Sequence, residues 1–182
     1  MFGPREINSV ELTDVPVCFS IAGDANRPGA IRHFAERVAA EAPAFFAIHG
    51  IDAGDALALA TRFDCGWAYR GRQALFWRDA FTVHEVYDRY LPIAPLRPFD
   101  RRGLLEVRGD YAGNPLVLIA AEFARDRTRV RELRFVRTEL RRVTGRALLF
   151  VAGHYESARI GFHDLGFLRL RSTAGCGIYA KA

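Results

Sequence analysis

Lysine is nearly absent: of 26 basic residues in this 182-residue chain, Lys181 is the only lysine and the other 25 are arginines. So extreme a ratio reflects the codon usage of a GC-rich bacterial genome more readily than selection for phosphate contacts. Cysteine is scarce too. Cys18, Cys65 and Cys176 are odd in number, far apart and without CxxC spacing, which excludes a disulfide framework and leaves each as a small reduced hydrophobe. No apolar run approaches the roughly 20 residues of a membrane-spanning helix. The opening Met1-Phe2-Gly3-Pro4-Arg5-Glu6 lacks the basic and apolar regions of a secretory signal, so a cytoplasmic location and no membrane partner are expected. Repeats, low-complexity stretches and Pro/Gly/Ser linkers are missing as well, which points to one domain over residues 1–182.

What is present is an ordinary globular composition, 50% apolar and 26% charged. A chain of this length can bury roughly two-thirds of its unfolded surface, enough for a core without staples. The net charge of +5 and pI near 9.5 invite a nucleic-acid partner. Arginine also binds carboxylates bidentately, however, so many of the arginines are expected to be answered by the 21 acids.

Short apolar runs alternate with helical ones. Val15–Ile21 predicts a buried strand. Pro28 opens a helix to Glu41, with Ile31, Phe34, Ala35 and Val38 at three-four spacing, and Pro43 ends it. Ala44–Ile48 predicts a second buried strand, and Asp52 caps a helix over Ala53–Phe63. Trp67–Tyr69, Ala74–Trp77 and Thr82–Tyr87 predict a strand-rich middle. Gly103–Arg108 and Leu116–Ala121 predict a hairpin about the breaker Gly113-Asn114-Pro115. An arginine-rich helix is predicted over Arg127–Val143, a strand over Ala147–Ala152, a helix from Ser157 to Leu165 and a last strand over Gly177–Ala180. Strand–helix–strand units around a hairpin-rich middle indicate a layered α/β protein with mixed sheets.

Several of these segments, in order, resemble the endonuclease/exonuclease/phosphatase family of Mg-dependent phosphodiesterases and phosphomonoesterases. Val15–Ile21 resembles its opening strand, and Pro43-Ala44-Phe45-Phe46-Ala47-Ile48-His49-Gly50-Ile51 its Pro-Asp-Val-Val-Ala-Leu-Gln-Glu-Val segment. Tyr69–Arg78 is similar to its "glycine, small, leucine, x, x, arginine" strand. Leu116–Phe123 is similar to the strand ending in Thr-His-Leu, and Leu148–Glu156 to the one ending in Gly-Asp-Phe-Asn. The resemblance implies a two-layer β-sandwich flanked by helices, with mixed sheets and a shortened C-terminal end.

The chemistry does not carry over with the order of elements. The family's Asn aligns with Ser20, its metal-binding Glu with Gly50, and the His of Thr-His-Leu with Glu122. The Asp and Asn of Gly-Asp-Phe-Asn align with His154 and Glu156. The closing Ser-Asp-His motif has no counterpart. Mg²⁺ takes hard oxygen ligands, usually one or two carboxylates with water, and Gly50 offers no side chain. The resemblance therefore implies a lost hydrolytic site, no resident cofactor, and a role in binding a partner protein or a phosphate-bearing ligand. The alternative is a divergent metal-dependent phosphodiesterase or nuclease in which His49, Glu122, His154 and Glu156 hold a divalent transition metal, since His–Glu mixtures suit Zn²⁺, Mn²⁺ or Fe²⁺. Against it, the same four residues read as polar groups on a solvated strand-end rim.

Three further features bear on binding. Arg127, Arg131 and Arg134 recur at three-four spacing and form one helix face, which would track a phosphate backbone or lie solvated against Glu132, Glu139 and Asp126. Phe76, Trp77, Phe81, Tyr87 and Tyr90 would form a partner surface if exposed, with core as the default. Ser157–Phe167 is similar to the closing segment of GCN5-related acetyltransferases, but Ala124–Thr128 lacks the Gly-rich pyrophosphate turn that such an acyltransferase needs.

Overall fold

The computed structural model describes residues 18–22, 29–91, 102–123, 129–153, 162–173 and 175–182. Within them β2 (Phe45–His49) shows how the layers arise. All five of its residues are buried. Successive side chains of a strand point to opposite faces, so Phe45 and Ala47 enter one apolar cluster while Phe46 and Ile48 enter another. A strand apolar on both faces must be covered on both.

The covers follow in chain order. Strand β1 (Cys18–Ala22) pairs parallel to β2, and helix α1 (Ala30–Glu41) connects them. Helix α2 (Ala53–Phe63) starts where Asp52 Oδ1 accepts the Asp55 amide at 2.9 Å and ends at Asp64 in the left-handed conformation. That is the cap expected from sequence. Strands β3 (Gly66–Arg70) and β4 (Gln73–Trp77) form a hairpin about Gly71 and Arg72, both at positive φ, as a two-residue hairpin turn of mirror-image type requires. These four strands make a sheet in the order β1-β2-β4-β3.

The second sheet has the order β5-β6-β7-β8-β10-β9. It comprises β5 (Phe81–Tyr90), β6 (Gly103–Tyr111), β7 (Asn114–Phe123), β8 (Ala147–Gly153), β9 (Leu168–Thr173) and β10 (Cys176–Lys181), with helix α3 (Arg129–Arg141) between β7 and β8. Both sheets are mixed: β1/β2 and β7/β8 pair parallel, the other neighbours antiparallel.

Three apolar clusters bind four layers. Phe34, Ala35 and Val38 of α1 and Leu59 of α2 pack on the outer face of the four-stranded sheet, against Phe46 and Phe76 stacked at 4.5 Å. Phe45, Leu75, Val107, Leu118 and Phe150 fill the space between the sheets. Val136 and Leu140 of α3 cover Ile119, Leu149 and Tyr179 on the outer face of the six-stranded sheet. This is the two-layer sandwich flanked by helices that the sequence implied.

Three local expectations change. The β6–β7 turn is Ala112-Gly113, at φ 50° and 78°, and the strand resumes at Asn114 with Pro115 opposite Asp110. Two positive-φ residues suffice for the turn, so the proline sits at a strand start, where its missing N–H costs least. Strand β5 runs three residues beyond the expected Tyr87, and β9 was not expected at all. Both are sheet edges. The helix expected from Ser157 to Leu165 lies mostly outside the described residues, and within them Phe162 and His163 are helical.

Gly153, the last residue of β8, has φ +86°, and a Cβ built there would lie 2.1 Å from the Phe123 carbonyl oxygen. Gly113 has φ +78° but nothing within 4 Å. The Gly113→Ala change should therefore cost about 1 kcal/mol from backbone strain alone. Gly153→Ala should cost about 3 kcal/mol because backbone must also move, lowering Tm by roughly 6–12 °C. Thermal unfolding followed by circular dichroism checks the order of the two.

Candidate functional site

The ends of strands from both sheets form one rim. His49 closes β2, Arg70 closes β3, Gln73 opens β4, Gly103 opens β6, Phe123 closes β7 and Gly153 closes β8. Gln73 shows that the two sheets present the same end here: its Nε2 donates to the carbonyls of Gly103 and Ala120 across the sandwich. Segments 23–28, 92–101, 124–128 and 154–161 connect to strand ends on this rim and lie outside the described residues. With them lie Arg127, His154 and Glu156.

The other residues singled out from sequence are placed as follows. Ser20 pairs with Ala47, two positions short of the end of β1, where Ala22 pairs with His49. Glu122 is half-buried at the end of β7, in register with Ala152. Arg131 and Arg134 are exposed on α3, in the outer layer. Tyr87 and Tyr90 are 37% and 45% exposed on β5, whereas Phe76 and Phe81 are core. Cys65 and Cys176 are free thiols, and burial pushes that of Cys65 up to about 11.

His49 is only 1% exposed. The alternation along β2 turns it into the space between the sheets, on the side of Phe45 and Ala47, next to Gln73 in the register. Neither ring nitrogen makes a hydrogen bond among the described residues, and neither does Gln73 Oε1. Desolvation lowers the His49 pKa to about 4, outweighing the opposing pull of the Gln73 side chain beside it. At neutral pH this imidazole is uncharged.

Gly50 follows at φ +87°. Its N–H donates to the Arg72 carbonyl at 2.7 Å, and the Ile51 N–H donates to the same oxygen at 3.1 Å. In return Arg72 Nη2 donates to the Gly50 carbonyl at 3.4 Å. The β3–β4 turn is thus clamped to the end of β2, with a guanidinium over the Gly50 carbonyl. Nearby, Arg70 pairs with Asp88 at 2.7 Å and lies 3.7 Å from the centre of the Tyr90 ring.

Neither Arg72 nor Gln73 stood out as a functional candidate in the sequence. The available signal was the Gly-Arg pair between two strand-like runs, which marks a tight turn. Gln73 is also the chain's only glutamine, with nothing in its flanks to show that it faces inward.

The Mg²⁺ that the family resemblance implies does not fit the described residues. The position aligned with the metal-binding Glu has no side chain, and its carbonyl already receives a cation, the Arg72 guanidinium. His49 beside it is a buried neutral imidazole. Among the described residues no group of three or more His, Cys, Asp or Glu side chains is placed to hold a metal.

No protein-family model matches the chain, and no curated protein matches it in sequence. Solved structures do match in shape. TDP2 of D. rerio, crystallised with a single-strand DNA product, aligns at TM-score 0.70 and 11% identity over 93% of this chain and 85% of its own. A mannosyl-6-phosphatase of Bacteroides thetaiotaomicron aligns at 0.67 and 13% over 92% and 85%. An endonuclease/exonuclease/phosphatase protein of Bacteroides vulgatus aligns at 0.68 and 9% over 92% and 88%. The chain has an endonuclease/exonuclease/phosphatase-like fold, which is not the rival acetyltransferase architecture. Among the described residues no helix is long and apolar enough to cross a membrane.

Burial of His49 sets a pH dependence. Between pH 6.5 and about 4 the unfolded chain binds a proton that the folded chain refuses. Stability from this group is therefore complete above pH 6.5 and falls as the solution is acidified, by about 3 kcal/mol in all. Urea unfolding of the wild type and His49→Gln at pH 7 and pH 4.5 should show the wild type losing about 2 kcal/mol more than the variant. Equal losses would mean that the imidazole is solvated.

Proposed function

We propose that the chain is a non-catalytic protein on a hydrolase-like fold, acting by binding a partner protein or a phosphate-bearing ligand. The observation that carries this is the pairing of Gly50 with Arg72. Where the family would place a carboxylate and its divalent cation, this chain has a carbonyl and a guanidinium. A guanidinium binds phosphate oxygens bidentately and holds its charge at every physiological pH. It does not lower the pKa of a bound water, the service a metal supplies to hydrolysis. The single-domain organisation and the cytoplasmic, bacterial setting expected from sequence belong to the same proposal. The shared strands of the three apolar clusters support the former, and the arginine bias is the ground for a bacterial source.

A second reading, a divergent phosphodiesterase with a transition metal, draws support from one register. Glu122 pairs with Ala152, one step before Gly153, and the chain then continues to His154 and Glu156. Burial of His49 weakens that set, because a neutral imidazole between the sheets is withdrawn from the solvated rim.

The test is hydrolysis of bis(p-nitrophenyl) phosphate with Mg²⁺, Mn²⁺ or Zn²⁺, alongside metal content by mass spectrometry. The expected result is turnover no faster than buffer with each metal and no stoichiometric metal. Metal-dependent turnover abolished by Glu122→Gln or His154→Ala would overturn the proposal and establish the second reading.

A further inference from the structure

Helix α3 carries two acids, and both are turned inward. Glu132 is fully buried and accepts Arg102 Nε at 3.1 Å. Glu139, also buried, pairs with Arg89 of β5 and with Arg142. Their charges are spent on tying the helix to strand β5, to Arg102 beside β6 and to its own C-terminal turn. At about 100° per residue, Arg131, Arg134, Thr138, Arg141 and Arg142 fall within an arc of about 100° on the opposite side, and all five are exposed. Arg131, Arg134 and Arg141 take part in no ion pair among the described residues. At the flank Asp164 answers Arg137 at 3.7 Å and leaves the arc itself without an acid.

The chemistry of the arc selects its ligand. From Arg131 to Arg141 the helix rises about 15 Å, the length of four to five base-pair steps at roughly 3.4 Å each. Guanidinium groups suit phosphate oxygens geometrically as well as by charge. The one large exposed hydrophobic on α3 is Val130, too little to insert into a lipid interface, which takes a broad apolar face. Phe135 is partly buried and packed against the core, so α3 presents no exposed aromatic ring to unstacked bases, and a single strand finds no stacking platform there.

We propose that Arg131, Arg134 and Arg141, with Arg142 at their edge, form a sequence-independent docking surface for the phosphate backbone of duplex nucleic acid. The inference rests on the reading of the chain as a binding protein and names the ligand. It places that ligand on the outer layer, apart from the rim.

The test is fluorescence anisotropy of a labelled 20-base-pair duplex with the full chain between 50 and 200 mM salt. The triple variant Arg131→Gln/Arg134→Gln/Arg141→Gln should bind at least tenfold more weakly at 50 mM. Its log–log salt slope should be shallower by about 2 to 3, at roughly 0.9 for each phosphate no longer neutralised. A changed duplex sequence should leave both numbers as they were, and a single strand of the same length should bind more weakly. The double variant Arg32→Gln/Arg62→Gln, on the opposite layer, should leave the slope unchanged. An unchanged melting curve for the triple variant shows that it folds. No duplex binding at 50 mM, an unaffected triple variant, or an equal loss per charge in the control would each overturn the inference. So would a requirement for the three arginines only on phosphatidylserine vesicles, which would assign a membrane instead. Cleavage of the duplex with added metal would refute the non-catalytic reading while leaving the docking surface standing. Loss of docking without cleavage would do the reverse.

Discussion

The space between the two sheets closes at the rim on two polar side chains, His49 and Gln73, and much of the rim's geometry follows from that closure. Gln73 spans the gap, its amide reaching carbonyls of both Gly103 and Ala120. An unsatisfied buried polar group costs about 1–3 kcal/mol, so the separation at which the Gln73 amide nitrogen reaches both carbonyls is favoured, while Gln73 Oε1 and both His49 nitrogens stay unpaired among the described residues. The turn residues Gly71 and Arg72 immediately precede Gln73. Once Gln73 is anchored between the sheets, the hairpin tip falls beside the end of β2, where Gly50 and Ile51 donate to the Arg72 carbonyl. The guanidinium over Gly50 is thus a consequence of how the sandwich is closed.

The charges of the molecule are distributed by the same logic of closure. Arg70 ties β3 to β5 through Asp88, Arg102 ties the start of β6 to α3 through Glu132, and Arg89 ties β5 to α3 through Glu139. Each bond joins layers or strands that the apolar clusters leave unclosed at their margins. Charge pairing at such partly buried positions is worth more than on an open surface, where salt and water screen it. Of the outward arginines of α3, these acids reach only Arg142 at the edge, and the positive face formed by Arg131, Arg134 and Arg141 is the result.

Strands carrying apolar or aromatic runs were legible in the sequence, at the edges β1 and β3 as in the interior, and the polar edge segments were not. β2, β4 and β8 announce themselves by apolar runs because they are buried on both faces. α2 announces itself by its Asp52 cap. The end of β5 beyond Tyr87 and the whole of β9 do not, because there an edge strand has little to bury: Asp88 and Arg89 are charged, and in Leu168-Arg169-Leu170-Arg171 even the leucines stay exposed. Their conformation is set by partners distant in the chain, such as Arg70 for Asp88 or Glu41 for Arg171. The site divides similarly. That Gly50 falls at a strand end was readable from the run before it. That His49 points inward depends on the period-two alternation of a strand covered on both faces, and that Arg72 folds back over Gly50 depends on a turn whose clamp lies 22 residues away.

A carboxylate with a bound cation and a carbonyl with a tethered guanidinium present similar positive charge to an approaching phosphate, but they differ in what happens next. A metal's charge arrives with exchangeable water, whose acidity it raises, and it leaves when the metal is chelated. The guanidinium's charge is covalently part of the chain and does not titrate in the physiological range. At Arg72 it is positioned by a backbone that Gly50 and Ile51 hold in place. A phosphate met by such a group is held by a fixed charge that does not itself activate a water, so this one contact favours residence over turnover. The proposed non-catalytic reading draws on both features together: the close backbone approach at Gly153, which leaves no room for a side chain, and the tethered guanidinium over Gly50, which supplies a cation without a metal.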